Sequence, residues 1–211
     1  MVSAKFVTVE GIEGSGKTTL LSGLVMWLAA RGIEVVTTRE PGGTVLGNRL
    51  RTVFVEPGLP IAALAEAFVV NASRAQHVEE VIEPALQADR WVLCDRFADA
   101  TLAYQGYGRG LDLAVLRSLA DVATRGRRPD LTFLVDVSAD VSHARVLART
   151  SSGGASPDRL ERETSEFHER VRAGYLTLAR DDRRFVTLDG NQPPDDVLRA
   201  ASRVLAEKFG V

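Results

Sequence analysis

The chain has 211 residues, 45% hydrophobic and 26% charged, with a formal net charge of −2. These values fit one globular domain with a sizeable core, and they exclude a broadly basic nucleic-acid binder or a surface drawn to anionic membranes. The one cysteine, Cys94, excludes an internal disulfide and a thiolate zinc cage; with no 18-residue apolar run and no signal-peptide pattern, the expected location is the cytoplasm.

Lys5 to Glu10, "KFVTVE", alternates apolar and polar residues and then meets Gly11, which predicts a strand ending in a glycine turn. From Thr18 to about Arg31, Leu21, Leu24, Val25 and Leu28 share one helical face, and Gly32 stands where that helix would stop. "EVVTT", "WVLCD", "LTFLVD" and "RFVTLD" predict four more strands. Between them, helical periods cover Ala62 to Gln87, Asp112 to Thr124, Ala139 to Arg149, Arg159 to Arg180 and Asp195 to Phe209. This alternation predicts an α/β fold, a five-stranded parallel sheet flanked by helices, with the ligand site beyond the carboxyl ends of the strands. "TSSGGASPD", residues 150 to 158, reads as a mobile loop.

Gly11, Ile12, Glu13, Gly14, Ser15, Gly16, Lys17 and Thr18 fit the phosphate-loop pattern G-x-x-x-x-G-K-[ST], and Thr19 follows in the helix. The glycines let backbone N–H groups converge on phosphate oxygens, and the helix adds its positive N-terminal end. Lys17 neutralises charge, and the Thr18 hydroxyl can ligate Mg²⁺. No guanine-reading Asn-Lys-x-Asp occurs, and the chain is small for a motor or transport ATPase. A kinase for a small phosphorylated acceptor needs a second anion site. Arg39 in "TTREPGGT", Arg74 in "VVNASRAQHVEE" and Arg96 after Asp95 are the candidates, because a guanidinium donates two parallel hydrogen bonds to phosphate.

Together, "EGIEGSGKTT", "TREPGGT", "SRAQHVEEVI", "DRFADATLAYQGYGRG", "RPDLTFLVDV" and "DRLE" span nearly the entire chain and resemble the thymidylate kinases, which phosphorylate dTMP to dTDP with MgATP. The resemblance implies a single phosphate-loop nucleoside monophosphate kinase domain over residues 1–211, usually a homodimer, with the helix from Ala62 to Gln87 as a contact face. It implies that Arg96, with Arg39 and the neighbouring Pro41, binds the acceptor phosphate. Arg74, with Thr101, would meet the base edge; Tyr104 and Gln105 would lie at the sugar; Asp95 would join Thr18 at the Mg²⁺ site. Glu13, a carboxylate inside a phosphate loop, matches the acid that contacts the acceptor's 3′-hydroxyl. Val70 stands where the family usually has a base-stacking phenylalanine, and Ala100 where it commonly has serine; Phe68 lies on the wrong helical face to replace that ring directly.

Gly14 occupies a position where some members carry a catalytic arginine. Members with glycine there draw the basic residue from a lid, here about 149–160, which points to Arg149 or Arg159; Arg145, a turn earlier, would stack on adenine. Cys94 reads as a buried small hydrophobe, Asp136 and Asp189 as turn formers, and Glu79 and Glu80 as a solvated helix face, while His77, His143 and His168 receive no role. Two alternatives stay open: a kinase of this fold for another nucleoside monophosphate, and a nucleotide-binding regulatory protein without turnover.

Overall fold

Strands β1 (Phe6–Glu10), β2 (Val35–Arg39), β3 (Trp91–Asp95), β4 (Leu131–Asp136) and β5 (Phe185–Asp189) run parallel in the order β2-β3-β1-β4-β5. They belong to a computed structural model that describes residues 3–154 and 156–211. β1 is buried along its whole length between β3 and β4. Its alternating threonine is therefore not a solvent face. The Thr8 hydroxyl pairs with that of Thr132 on β4 at 2.8 Å, which satisfies both inside the sheet.

Alternation along the strands divides the core in two. Val7, Val9, Trp91 and Leu93 pack with Leu24 and Leu28 of α1 (Lys17–Ala29) and Leu205 of α9 (Pro194–Phe209). Phe6, Val92 and Cys94 point the other way, onto Val78, Ile82 and Phe97. A third cluster joins α2 (Val45–Val55), α3 (Ala63–His77), α6 (Leu113–Thr124) and α8 (Ser165–Asp181) beyond the strand ends.

The helix expected from Ala62 to Gln87 is three pieces: α3, a wide π-type turn over Val78–Ile82, and α4 (Glu83–Gln87). Pro84 explains the break, because it has no N–H to donate and its ring crowds the carbonyl a turn earlier. The helix expected from Arg159 begins at Ser165, with the Thr164 hydroxyl accepting from Phe167 N; residues 159–164 form a turn. Arg39 closes β2 and does not follow it.

Two helical segments were not expected. α2 is masked in sequence by Gly47, where a Cβ would lie 2.6 Å from Gly42 O; the glycine serves close packing on the Pro-Gly-Gly turn. After α5 (Ala98–Thr101), wide π-type turns run from Leu102 to Gly108. There Gly106 leaves room for Leu113, whose Cδ2 would stand 2.4 Å from an added Cβ. α7 (Ala139–Ser151) leads into the expected lid, of which residue 155 lies outside the described residues.

Candidate active site

Sheet register assembles the site. Arg39 pairs with Asp95 on β3, and Asp95 with Val9 on β1, so the carboxyl ends of three strands open onto one edge. Two cavities meet there. The larger, about 650 Å³, is lined by Glu13 to Leu20 of the phosphate loop and α1, with Arg39, Asp95, Arg145, Arg149, Gly190 and Gln192. The narrower, about 60 Å³, is lined by Pro41, Phe54, Val70, Arg74, Ala100, Thr101, Tyr104 and Gln105, among others. Glu13, Glu40, Arg51, Arg96 and Asp158 line both and form the seam between them.

Lys17 is buried, and its ammonium donates to Gly11 O at 3.1 Å and Ile12 O at 2.8 Å. Burial, reinforced by the Arg96 charge, pushes its pKa down to about 8. A bound triphosphate would reverse that shift. Ser142 of α7 donates to Glu13 O at 2.6 Å and ties the loop to the helix that carries Arg145 and Arg149. Arg145 spans the gap from the loop to the β5 edge, donating to Gly14 O at 3.3 Å and Gly190 O at 3.0 Å.

Arg96 has a left-handed backbone, φ 69°, rare for a side chain of this size and the kind of local strain that persists where surroundings over-determine it. Its guanidinium donates to Gly11 O, to Tyr175 Oη at 3.3 Å, and to Glu13 Oε1 at 2.6 Å. Tyr104 donates to the other Glu13 oxygen at 2.7 Å. Burial would raise the Glu13 pKa, but Arg96, Lys17 and Tyr104 outweigh it and hold the carboxyl below its ordinary value. Beneath Arg96, Tyr175 donates to fully buried Glu10 at 2.7 Å. Burial and nearby Asp99 push Glu10 up to about 8 against the pull of Arg96.

Arg74 is almost fully buried. Its Nε donates to Glu40 at 2.8 Å, Nη1 to Asn71 at 2.9 Å, and Nη2 to Phe97 O and Thr101 Oγ1, both at 3.0 Å. Five N–H groups make four such bonds, which leaves one for a ligand in the cavity. Glu40 also pairs with His77 Nδ1 at 2.9 Å, and His77 Nε2 meets the Thr38 hydroxyl at 2.7 Å, so this histidine anchors the β2 end.

The two lid arginines part company. Arg149 lines the larger cleft and donates to both carboxylate oxygens of Glu161 at 2.8 Å. Arg159 lines neither cavity; it is paired with Glu66 and donates to Phe54 O at 2.9 Å. Gly11 and Ile12 take part through their carbonyls. Cys94 is fully buried, with its thiol pKa raised well above the ordinary value by burial, and Glu79 and Glu80 are exposed. Asp189 accepts from Asn191 N at 2.9 Å as a turn former, whereas Asp136 pairs with Arg172 at 2.7 Å.

Asp95 Oδ1 is buried without a hydrogen-bond partner among the described residues, and Thr18 lines the same cleft. An orphaned carboxylate oxygen in the same cleft as a helix-start hydroxyl suits a hydrated Mg²⁺. Among the described residues, no group of three or more His, Cys, Asp or Glu is placed to hold a metal ion alone. A divalent ion here would take its remaining ligands from phosphate and water.

Sequence reading missed Arg51, Glu40, Phe54, Asp158 and Glu66. Arg51 is partly buried, and its Nη1 donates to Pro41 O at 3.1 Å; burial and the neighbouring Arg39 lower its pKa. A bound anion would relieve the mutual repulsion of Arg51 with Arg39 and Arg96. The available signal was Thr44, whose hydroxyl caps α2 by accepting from Gly47 N at 2.9 Å. Burial raises Asp158, which accepts from Leu160 N and Glu161 N at 2.9 Å in a tight turn.

The family model for thymidylate kinase matches residues 9–201. A thymidylate kinase of Carboxydothermus hydrogenoformans is 49% identical over 193 residues, covering 92% of each chain. One from Desulfovibrio desulfuricans is 51% identical over 197 residues, covering 92% of this chain and 91% of its own. The crystal structure of thymidylate kinase from Ehrlichia chaffeensis superposes with a TM-score of 0.78 at 33% identity, covering 96% of this chain and 99% of that one.

Proposed function

The chain belongs to the thymidylate kinase family, and we propose that it transfers the γ-phosphoryl group of ATP to dTMP, giving ADP and dTDP. One observation carries the assignment of roles: a phosphate-loop cleft and a second cavity share a wall of Glu13, Arg51, Arg96 and Asp158. Two phosphorylated ligands entering from opposite sides would meet at that wall. The attacking oxygen of dTMP is already ionised, so transfer needs alignment and charge compensation and no general base.

In this reading the loop amides and Lys17 hold the β- and γ-phosphates, with adenine between Arg145 and the 190–192 turn. Arg39, Arg51 and Arg96 hold the acceptor phosphate. Arg74 and Thr101 face the base edge, Tyr104 and Gln105 the sugar, and Glu13 accepts from the sugar 3′-hydroxyl. Thr18 and, through water, Asp95 would hold Mg²⁺, which when bound screens the phosphate charge. Arg149 is the lid arginine that compensates charge on the transferring group, favoured over Arg159 because it faces the cleft. Segment 149–160 acts as the lid of a single domain.

Leu64, Phe68, Ala72 and Ala75 make an uncharged exposed stripe on α3, from which we infer a homodimer. Sedimentation of wild type against Phe68→Asp tests it; a monomeric wild type refutes it. No helix among the described residues is long and apolar enough to cross a membrane, and the free buried Cys94 agrees with a cytoplasmic location.

ADP release with ATP and a panel of dTMP, dUMP, dCMP, dGMP and AMP tests the acceptor. A preference of roughly tenfold or more for another monophosphate overturns dTMP. Absence of turnover with every acceptor, with ATP still bound, indicates a regulatory protein.

A further inference from the structure

We propose that Phe54 supplies the aromatic face against which the acceptor base lies, and that Arg159 and Glu66 are positioning residues holding that ring from behind. This rests on the acceptor reading of the narrower cavity. Val70 and Ala100 line that cavity with aliphatic groups that offer no π face. Phe68 is 54% exposed and outside the cavity lining.

Three rings line the cavity: Phe54, Phe97 and Tyr104. Phe97 is locked edge-on to Phe6, centroids 4.9 Å apart at 86°, with the Arg74 guanidinium 5.5 Å from its centre. Tyr104 is tied to Glu13, has Arg96 5.0 Å from its centroid, and meets Phe167 and Tyr175, each at 6.2 Å. Phe54 has no aromatic neighbour among the described residues. Its ring carries one cation, the Arg159 guanidinium at 5.1 Å. Phe54, 3% exposed, lines the cavity and Arg159 does not, so the guanidinium backs the ring from outside the cavity.

The backing is fixed. α2 ends at Val55, and its last carbonyls lack helical partners; Phe54 O accepts from Arg159 Nε at 2.9 Å and Val55 O from Arg159 N at 3.1 Å. Arg159 Nη1 donates to Glu66, fully buried on α3, which also accepts from Gln105 at 2.9 Å and Arg109 at 3.1 Å. Arg109 donates in turn to Glu163, so two carboxylates balance two guanidiniums. Arg159 thus braces a ring at the base, a task distinct from that of a catalytic lid arginine.

The experiment is steady-state kinetics of Phe54→Leu in the full-length enzyme, with thermal midpoint and ATP affinity measured alongside. Loss of base stacking raises the KM for dTMP roughly fivefold to a hundredfold, while kcat and the KM for ATP change little. Binding of 2-deoxyribose 5-phosphate, which has the sugar and phosphate but no base, is unaffected; a parallel loss there marks general damage and overturns the stacking role. Adding Val70→Phe to Phe54→Leu restores a ring at another position lining the cavity and lowers the KM again. Arg159→Met raises the KM for dTMP and leaves kcat within about threefold, whereas a large fall in kcat at unchanged KM overturns the positioning role. If Thr101→Val raises the KM and Phe54→Leu does not, the role of Phe54 falls and the acceptor cavity stands. If neither does, the cavity is not the acceptor site.

Discussion

Glu13 Oε1 lies 2.6 Å from Arg96 Nη2, a contact that joins the phosphate loop to the end of β3 across 83 residues of chain. A carboxylate in a phosphate loop is repelled by the phosphates the loop receives. Its side chain turns toward the second cavity, where Arg96 and Tyr104 hold both oxygens in place. Glu13→Gln keeps the shape and removes the charge. Loss of one charge-assisted hydrogen bond lowers kcat/KM for dTMP about tenfold or more, with ATP affinity within about twofold. Kinetics with each substrate varied in turn check this; an equal loss for both substrates rejects it.

Arg51 has a stated role only through the tertiary structure. With Arg39 and Arg96 it lines the larger cleft, and both neighbouring guanidiniums press on its charge, with Asp158 and Asp95 only partly offsetting them. Arg51→Ala should raise the KM for dTMP roughly tenfold to a hundredfold. The loss should shrink for an acceptor analogue that carries no phosphate. Equal losses with and without the phosphate would remove Arg51 from the phosphate site.

Lys17, with its pKa near 8, is partly deprotonated at that pH and becomes fully charged when phosphates surround it. Binding of MgATP at pH 8 should therefore take up roughly half a proton. Titration calorimetry in two buffers of different ionisation enthalpy reads that number directly. Lys17→Ala abolishes the uptake and lowers kcat at least about a hundredfold.

Glu10 ties stability to pH. Its folded pKa, raised to about 8, lies above the ordinary 4.5, so the folded protein holds more protons than the unfolded chain between those values. Its stabilising contribution is complete below 4.5 and is lost as pH rises toward 8. Glu10→Gln removes that slope. Thermal midpoints measured from pH 5 to 9 should fall more steeply in wild type than in the variant, and parallel curves would show that Glu10 does not titrate in this window.

The strand–helix alternation was legible because strands and helices write their periods into neighbouring residues. Gly11 to Thr18 was legible for the same reason: a loop that wraps phosphate needs its glycines, lysine and threonine at fixed local spacing. Local patterns failed where a residue's identity answers to something distant. α2 went unread because Gly47 weakens its helical signal, and the reason for that glycine, contact with Gly42, lies in packing. Pro84 and the turn at 159–164 moved helix boundaries that periodicity had smoothed over. Arg149 and Arg159 are indistinguishable in sequence, two arginines flanking one loop. Only the buried carboxylate of Glu66, 93 residues from Arg159, turns one of them to brace Phe54 and leaves the other at the cleft. Burial decides such pairings, because a charge withdrawn from water must find its partner wherever the fold brings one.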